Sequence, residues 1–349
     1  MSRQRYTLHE PSAQERRTPQ SAARRLRASA LSAIRQFFVE RQFLEVDTPL
    51  LVDAPGSESS LEPMRVWRTG GRPAWLITSP EHHMKRLLCD GERRIFQICR
   101  CFRGEDPTPH HRAEFTMVEW YRRDEDYQQI ATDVEQLVLF VANKCGLGLQ
   151  VGPADALVDL SSPWSQWSVA DAFAEFAQIE LTGPEDPSAL CHAAQRANMS
   201  SVTDEDDWET AFYKILLERV EPALARTGRG VHLLDWPAPM AALARLKEDD
   251  FSVAERVESY AGGIELANGF SELTDPRQQR RRFYQERRRR QKQQRDVFPV
   301  DESFLRGLAM GMPSSAGVAL GLDRLLLLIG SHNNLHHVAP HFMEHREKE

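Results

Sequence analysis

The sequence is poor in the features that mark disulfide-stabilised and zinc-binding proteins. Among its 349 residues there are only five cysteines, an odd number, and no two of them form a CxxC pair. This excludes a regular disulfide framework and gives no support for a zinc site. We therefore expect a protein of a reducing compartment, the cytoplasm. Cys99 and Cys101 lie on a predicted core strand and are expected to pack rather than to react.

Long apolar runs and an excess of positive charge are also missing. The most apolar stretch, residues 325–329, is far too short to cross a bilayer. The N-terminus has no apolar segment, which argues against a secretory signal, and Glu10 and Glu15 argue against a transit peptide. Because the net charge is −7, a polyanion would have to bind locally. We expect a soluble globular protein with no membrane partner.

Hydrophobic periodicity divides the chain into regions. Residues 1–20 are polar and are predicted to form a mobile tail, followed by a helix over about 22–41. One large domain is predicted over 21–330, in which about 150–250 is a mainly helical insertion. Residues 331–349 are predicted to form a polar tail. Its histidines, His341 among them, could suggest a metal site, but they do not have the spacing of metal ligands.

A predicted β-hairpin carries charged side chains where a structural hairpin would carry apolar ones. Residues 95–105 and 114–121 alternate with period two and are separated by a short polar loop. The alternation places Arg103 and Glu105 on the same side as Glu119. Burying three ionisable groups without partners would be costly, so a charged ligand is the better explanation.

A second predicted hairpin, residues 254–260 and 264–273, turns at two adjacent glycines. Alternation predicts that one face of its second strand holds Ile264, Leu266, Asn268 and Phe270. Glu258 and Glu265 lie on the adjacent strands, and such a pair of carboxylates can hold Mg²⁺.

Helix signals and charged segments complete the pattern. A helix is predicted near residue 79, with Ser79 as N-cap, and Arg324 should stand at a helix start, where phosphate is favoured. The acidic residues 204–207 could bind a metal, but carboxylates at a helix N-terminus are the simpler interpretation. The basic helix 277–295 is either a solvated face or a docking surface for an acidic partner.

Five motifs resemble those of class II aminoacyl-tRNA synthetases. The strings FRGE and HHRAEFTMVEWY resemble motif 2, GVALGLDR resembles motif 3, and residues 44–51, with Pro49, look like motif 1. SPEHHMKRLL and ERVESYAGGIELANGFSEL are similar to the lysyl-specific subclass. The resemblance covers about residues 22–330. It implies an α+β fold with a mixed, mostly antiparallel sheet flanked by helices, usually dimeric through motif 1.

Within this class the chain is similar to a truncated branch, the elongation factor P–(R)-β-lysine ligases. Lysyl-tRNA synthetases carry an N-terminal OB-fold, whereas too few residues precede the motif 1 strand here for a five-stranded barrel. Ala319 supports the assignment to this branch. Lysyl-tRNA synthetases usually have glycine at this position, and a methyl group there would crowd the amino-acid pocket. Gly104 and Arg112 depart from the family's motif 2 pattern, which puts the role of Arg112 in doubt.

The resemblance implies ATP and Mg²⁺ as cofactors and a role for each matching residue. The carboxylate of the amino acid attacks the α-phosphorus of ATP, so catalysis depends on positioning and charge neutralisation. Arg103 and Arg324 are the expected catalytic residues. With them, the expected ATP site comprises Glu105, His111, Phe115, Glu265, Leu266 and Gly321. The expected amino-acid site comprises Ser79, Glu81, Glu119, Tyr121, Asn268, Glu272 and Ala319. Glu258 and Glu265 are the expected metal ligands.

The expected partners are lysine or (R)-β-lysine, elongation factor P as acceptor, and a second copy of the chain, whereas tRNA is not expected. Two alternatives stay open. One is a tRNA-charging lysyl-tRNA synthetase core. The other is a non-catalytic regulator, although such descendants typically lose the phosphate arginines or metal carboxylates that are retained here. Glu119 or Glu272 alone could also pair with a protein arginine.

Overall fold

The computed structural model describes residues 19–56, 61–106, 108–153, 156–241 and 243–338. Of the two predicted tails, residues 1–18 and 339–349, with His341, fall outside these ranges. Residues 331–338 are described, and Leu335 and Val338 are buried in a hydrophobic core, so the C-terminal tail was predicted to begin too early. None of the helices in the described ranges combines the length and apolarity needed to span a bilayer.

Helices and strands alternate along the chain. The helices are α1 (Pro19–Glu40), α2 (Glu81–Cys89), α3 (Tyr127–Lys144), α4 (Val169–Ala172), α5 (Pro187–Arg196), α6 (Trp208–Ile215), α7 (Glu221–Arg226), α8 (Pro276–Lys292), α9 (Glu302–Gly311) and α10 (Leu322–Ile329). The strands are β1 (Leu44–Glu45), β2 (Leu51–Val52), β3 (Arg65–Trp67), β4 (Pro73–Leu76), β5 (Arg94–Phe102), β6 (Glu114–Arg123), β7 (Gln150–Val151), β8 (Val158–Asp159), β9 (Ser165–Ser168), β10 (Gly230–Pro237), β11 (Val253–Ala261), β12 (Ile264–Ser271) and β13 (Ser315–Gly321).

The largest sheet in the described residues has eight strands in the order β1-β5-β6-β13-β12-β11-β10-β9. The outer pairs β1–β5 and β9–β10 are parallel, and the inner pairs are antiparallel. This confirms the mixed, mostly antiparallel sheet predicted from sequence. The β11–β12 hairpin turns at Gly262 and Gly263, whose φ angles of 59° and 74° suit glycine.

Apolar helix faces cover the sheet on both sides. On one side, α1, α3 and α10 bury residues such as Phe38, Val134 and Leu326 in the main core, as their helical spacing requires. On the other side, α2, α8 and α9 form a smaller core around Phe283 and Phe304. Helices therefore flank the sheet as predicted.

Several local predictions were wrong. The single strand expected over residues 44–51 is divided between two sheets, since β1 pairs with β5 and β2 pairs with β4. Pro49, which lies between β1 and β2, has no N–H to donate to a ladder. The start of α2 is also different: Pro80, not Ser79, is the N-cap, and no side chain among the described residues caps this helix.

The segment 150–250 is more than a helical insertion. Helices α4 to α7 pack together around Phe173, Phe212 and Trp236. The same segment also supplies β9 and β10, the two strands at one edge of the main sheet. The acidic residues 204–207 lead into α6, where Asp207 accepts a hydrogen bond from the backbone N of Thr210, as an N-cap should.

Candidate active site

A cleft of about 510 Å³, here called the central cleft, lies over the middle strands β6, β11, β12 and β13. It brings together all of the predicted ATP and metal residues and two of the predicted amino-acid residues. These are Arg103, Glu105, His111, Phe115, Glu258, Glu265, Leu266, Gly321 and Arg324, with Asn268 and Ala319. The side chain of Leu266 is buried in the main core, so only its backbone can face a ligand here.

Arg103 lies just beyond the end of β5, beside Phe115. The guanidinium carbon of Arg103 is 5.1 Å from the centroid of the Phe115 ring, and its buried Nε has no hydrogen-bond partner in the described ranges. Glu105 accepts a hydrogen bond from the backbone N of Glu62 at 2.9 Å. A buried N–H without an acceptor is costly, so an anionic ligand fits this position.

Arg324 stands in the first turn of α10, as predicted. Its neighbour Asp323 accepts a hydrogen bond from the backbone N of Thr116 at 2.7 Å, which ties the helix start to β6. Arg324 donates to the carboxylate of Glu265 at 3.1 Å and to Nε2 of His111 at 2.7 Å. Partial burial lowers the pKa of His111, and the charge of Arg324 lowers it further, which favours a neutral imidazole as acceptor.

A β-bulge decides which way the carboxylates of the β11–β12 hairpin point. Ser259 pairs with Ala267, but the next residue, Tyr260, pairs with Glu265, so Leu266 is an extra residue in β12. The extra residue reverses the alternation. The face predicted to hold Ile264, Leu266, Asn268 and Phe270 is therefore wrong. Leu266 enters the core and Glu265 comes to the cleft.

Glu221 of α7, which the sequence did not single out, joins Glu258 and Glu265 in the lining of the cleft. Burial raises the pKa of Glu258 to about 7, and the charge of Glu265 adds to the shift. Burial, with Glu265, also raises the pKa of Glu221 to about 7. Burial opposes ionisation of Glu265 too, but Arg324 outweighs it, so the pKa of Glu265 is lowered.

These carboxylates suit a hard divalent cation that also binds phosphate. No group of three or more His, Cys, Asp or Glu side chains in the described residues could hold a metal alone. Mg²⁺, however, commonly takes one or two carboxylates and completes its shell with substrate phosphates and water. A cation would relieve the repulsion between Glu258 and Glu265. The cation and Arg256 would then bind the same carboxylate, since Arg256 donates a hydrogen bond to Glu258 at 2.7 Å.

The other predicted amino-acid residues form a buried polar cluster next to the cleft. The hydroxyl of Tyr121 donates to Glu119 at 2.6 Å, and Ala319, which lines the cleft, is paired with Glu119 across the β6–β13 ladder. Three polar groups of this cluster are buried without a hydrogen-bond partner in the described ranges: one carboxylate oxygen of Glu119, Oε1 of Glu272 and the amide of Gln97. Such a group of unsatisfied atoms indicates a ligand site.

Lys85 connects this cluster to Glu81 and is a second residue, after Glu221, that the sequence did not indicate. Its Nζ contacts the carboxylate of Glu272 and donates to Glu81 at 2.5 Å. The side chain of Lys85 is only 2% exposed. Burial opposes its charge, but Glu272 and Glu81 outweigh burial and raise its pKa. The spacing of four residues between Glu81 and Lys85 on one helix face was the available signal.

Glu272 should make the stability of the ligand-free protein depend on pH. Burial raises the pKa of its carboxyl to about 8, although Lys85 opposes the shift. In the unfolded chain this group ionises near a pKa of about 4.3. Between these values the folded state holds a proton that the unfolded chain has lost, so stability falls as pH rises. We expect a lower melting temperature at pH 8 than at pH 6, and a smaller difference in Glu272→Gln. An equal difference in that variant would contradict the assignment.

Ser79 and Glu81 lie outside the central cleft. They line a second cavity of about 230 Å³, here called the side cavity. Arg256 and Tyr213 line both cavities, so the two spaces adjoin at these side chains. The predicted site residues therefore fall into three neighbouring places: the central cleft, the buried cluster and the side cavity.

Comparison with known proteins identifies the family. The family model described as tRNA synthetases class II (D, K and N) matches residues 4–343. A protein of Salmonella paratyphi B named elongation factor P–(R)-β-lysine ligase is 38% identical over 308 residues, covering 86% of this chain and 89% of its own length. A protein of the same name from Edwardsiella ictaluri is 39% identical over 318 residues, covering 89% and 92%.

Proposed function

Because this chain belongs to the elongation factor P–(R)-β-lysine ligase family within the class II tRNA synthetases, we propose that it activates (R)-β-lysine with ATP and transfers it to a lysine side chain of elongation factor P. The observation that carries the proposal is the junction of a cleft that contains arginines with a buried cluster of carboxyl groups. Arg103 and Arg324 face the central cleft, and the buried acids Glu119 and Glu272 adjoin it.

In the activation step the cleft residues bind ATP and orient its α-phosphate. Arg103 binds the α-phosphate and the attacking carboxylate, and Arg324 binds the γ-phosphate. Phe115 stacks on the adenine, beside Glu105 and His111. The amino-acid carboxylate forms a bond to the α-phosphorus while the bond to pyrophosphate breaks, so no side chain of the protein has to act as nucleophile. Mg²⁺, held by Glu258 and Glu265, supplies charge neutralisation on the phosphates when bound.

The charge of the buried cluster suits an amino acid with two ammonium groups. Without ligand, burial and the charge of Glu81 raise the pKa of Glu119, and burial raises that of Glu272 to about 8, so both favour the neutral form. The positive charge of a ligand ammonium would favour the ionised form of both carboxyl groups, which would then release their protons. Glu81 and Ser79 face the amino group nearer the carboxylate, while Glu119, Tyr121 and Glu272 face the distal ammonium.

Lys85 acts in this scheme as a positioning residue. Its ammonium holds one oxygen of Glu272 and one of Glu81. The other oxygen of Glu272 has no hydrogen-bond partner in the described ranges and stays available to the ligand. The methyl group of Ala319, beside Asn268 in the ladder, limits the space near the reacting end and favours the β-isomer over α-lysine.

We also propose a homodimer, working in the cytoplasm, that forms through the motif 1 region. Large apolar side chains around this region are exposed in the single chain: Val39 at 64%, Leu44 at 50%, and Leu51 at 41%. β1 is an edge strand of the main sheet, and neighbouring apolar exposure at an edge is typical of an interface.

The reaction can be followed by weighing the acceptor. We expect elongation factor P to gain the mass of one lysyl group when incubated with this protein, ATP, Mg²⁺ and (R)-β-lysine, and to gain it more slowly with α-lysine. Omission of ATP should abolish the gain. If the acceptor stays unmodified with either isomer while bulk tRNA becomes aminoacylated, the protein is a tRNA-charging enzyme and the proposal is wrong.

A further inference from the structure

Apart from Ser79, Glu81 and Arg256, the residues that line the side cavity have no role in the activation step just described, yet the cavity adjoins the candidate active site. Ser79 and Glu81 line it on one side, and Arg282 and Arg289 of the basic helix α8 line it on another. Ile77, Met240 and Phe283 add apolar surface. A cavity with an apolar wall and polar groups at one end fits an aliphatic side chain that carries a polar terminus.

The position of the cavity follows from the roles proposed above, on which this inference rests. If Arg103 binds the carboxylate of the amino acid and Glu81 binds its amino group, the acyl carbon lies between them. Because Glu81 lines the side cavity, a group that enters through this cavity reaches the acyl carbon from the side of Glu81. The nucleotide occupies the central cleft and does not block that approach.

His83 also lines the side cavity, and among the described residues its imidazole has no hydrogen bond that would stabilise the fold. By contrast, the adjacent His82 lies 3.3 Å from the carboxylate of Asp301 and stacks on Phe304. Partial burial lowers the pKa of His83; Asp301 opposes this, and Arg86 and His82 add to it. A neutral imidazole facing a cavity can accept a proton.

We propose that the side cavity admits the lysine side chain of the acceptor protein and that His83 accepts the proton that this amine must lose before it attacks. Arg282, which lines the cavity, disfavours an ammonium nearby and so favours the nucleophilic neutral amine. Arg289 is paired with Glu286 and Glu209, and these two carboxylates attract the incoming ammonium.

The transfer step balances with these groups. The acceptor ammonium gives one proton to a ring nitrogen of His83. The amine lone pair forms a C–N bond to the acyl carbon, the C–O bond to the phosphate breaks, and AMP leaves with that electron pair. The second amine proton goes to solvent as the amide forms, and His83 then releases its proton to solvent. No oxidant, reductant or further reactant is required.

The test separates the two half-reactions in the full chain. ATP–pyrophosphate exchange with (R)-β-lysine reports activation, and the mass of elongation factor P in a single turnover reports transfer. We expect His83→Ala to keep exchange within about twofold of the parent while transfer slows by about 10²-fold or more. Added imidazole should restore part of the transfer rate. Transfer by the parent should rise with pH and level off, whereas transfer by the variant should keep rising.

A second pair of variants tests the cavity without removing the histidine. Ala238 also lines it, so Ala238→Trp should block transfer and spare exchange, while Ala238→Ser should change neither. His192→Ala, at an exposed histidine elsewhere, controls for loss of an imidazole. Normal transfer in Ala238→Trp, or in His83→Ala without imidazole, overturns this inference alone. Absence of exchange in the parent protein overturns the proposed function instead.

Discussion

Arg103→Ala is expected to lower the rate of ATP–pyrophosphate exchange by about 10²–10³-fold, comparable with the loss of one preorganised donor to a developing charge. In the proposed mechanism the guanidinium binds both reacting anions, and its buried Nε has no acceptor within the described ranges. Its loss should therefore impair positioning and leave the charge on the α-phosphate without compensation. Because that Nε makes no hydrogen bond among the described residues, the melting temperature should change little.

Arg100→Ala provides the matched control for Arg103. Arg100 lies on β5, three residues earlier, with its side chain 37% exposed and 3.6 Å from the carboxylate of Glu114. An exposed pair of this kind contributes little to stability, and we expect normal exchange. Equal activity in Arg103→Ala and Arg100→Ala would show that the cleft is not the adenylation site.

Above pH 8, where the Glu272 carboxyl ionises, Lys85→Met is expected to reduce the free energy of unfolding by about 3–5 kcal/mol, the usual effect of removing one partner of a buried ion pair. The change leaves Glu81 and Glu272 next to each other without the ammonium that holds both. Denaturant unfolding measures the loss. Amino-acid binding should also weaken, because the carboxylates lose their fixed orientation, while the KM for ATP should stay nearly constant.

A double variant separates charge loss from a packing defect. Under the same conditions, with Glu272 ionised, Lys85→Met combined with Glu272→Gln should be more stable than the sum of the two single effects, since the neutral amide needs no counter-ion. Lys214→Met is the surface control: Lys214 pairs with Asp206 but is 32% exposed, and the cost should stay below about 1 kcal/mol. Strict additivity in the double variant would contradict a role in charge balance.

The sequence predicted those features that depend on short-range pattern. The alternation on β5 and β6 placed Arg103, Phe115 and Glu119 correctly along one hairpin, and the paired glycines predicted the β11–β12 turn. The helix start at Arg324 also followed from local composition. The family resemblance supplied the grouping of these distant segments, which periodicity alone could not provide.

The sequence could not show features that depend on contacts between distant segments. Glu221 lies in a helical stretch with no motif, and only the packing of α7 beside β11 brings it to the cleft. The contact between Lys85 and Glu272 joins residues far apart in the chain. The division of the motif 1 strand between two sheets likewise depends on the partners that β4 and β5 offer.

The bulge at Leu266 makes the pairing register, rather than side-chain identity, the sensitive property of β12. If the same residues paired regularly, without the bulge, Glu265 would turn toward the core, away from Arg324, while its sequence neighbours stayed the same. Substitution by another apolar residue of similar size should be tolerated. Natural variation along this hairpin should therefore preserve the pairing of Glu265 with Tyr260 more strictly than the identity of the residue at the bulge.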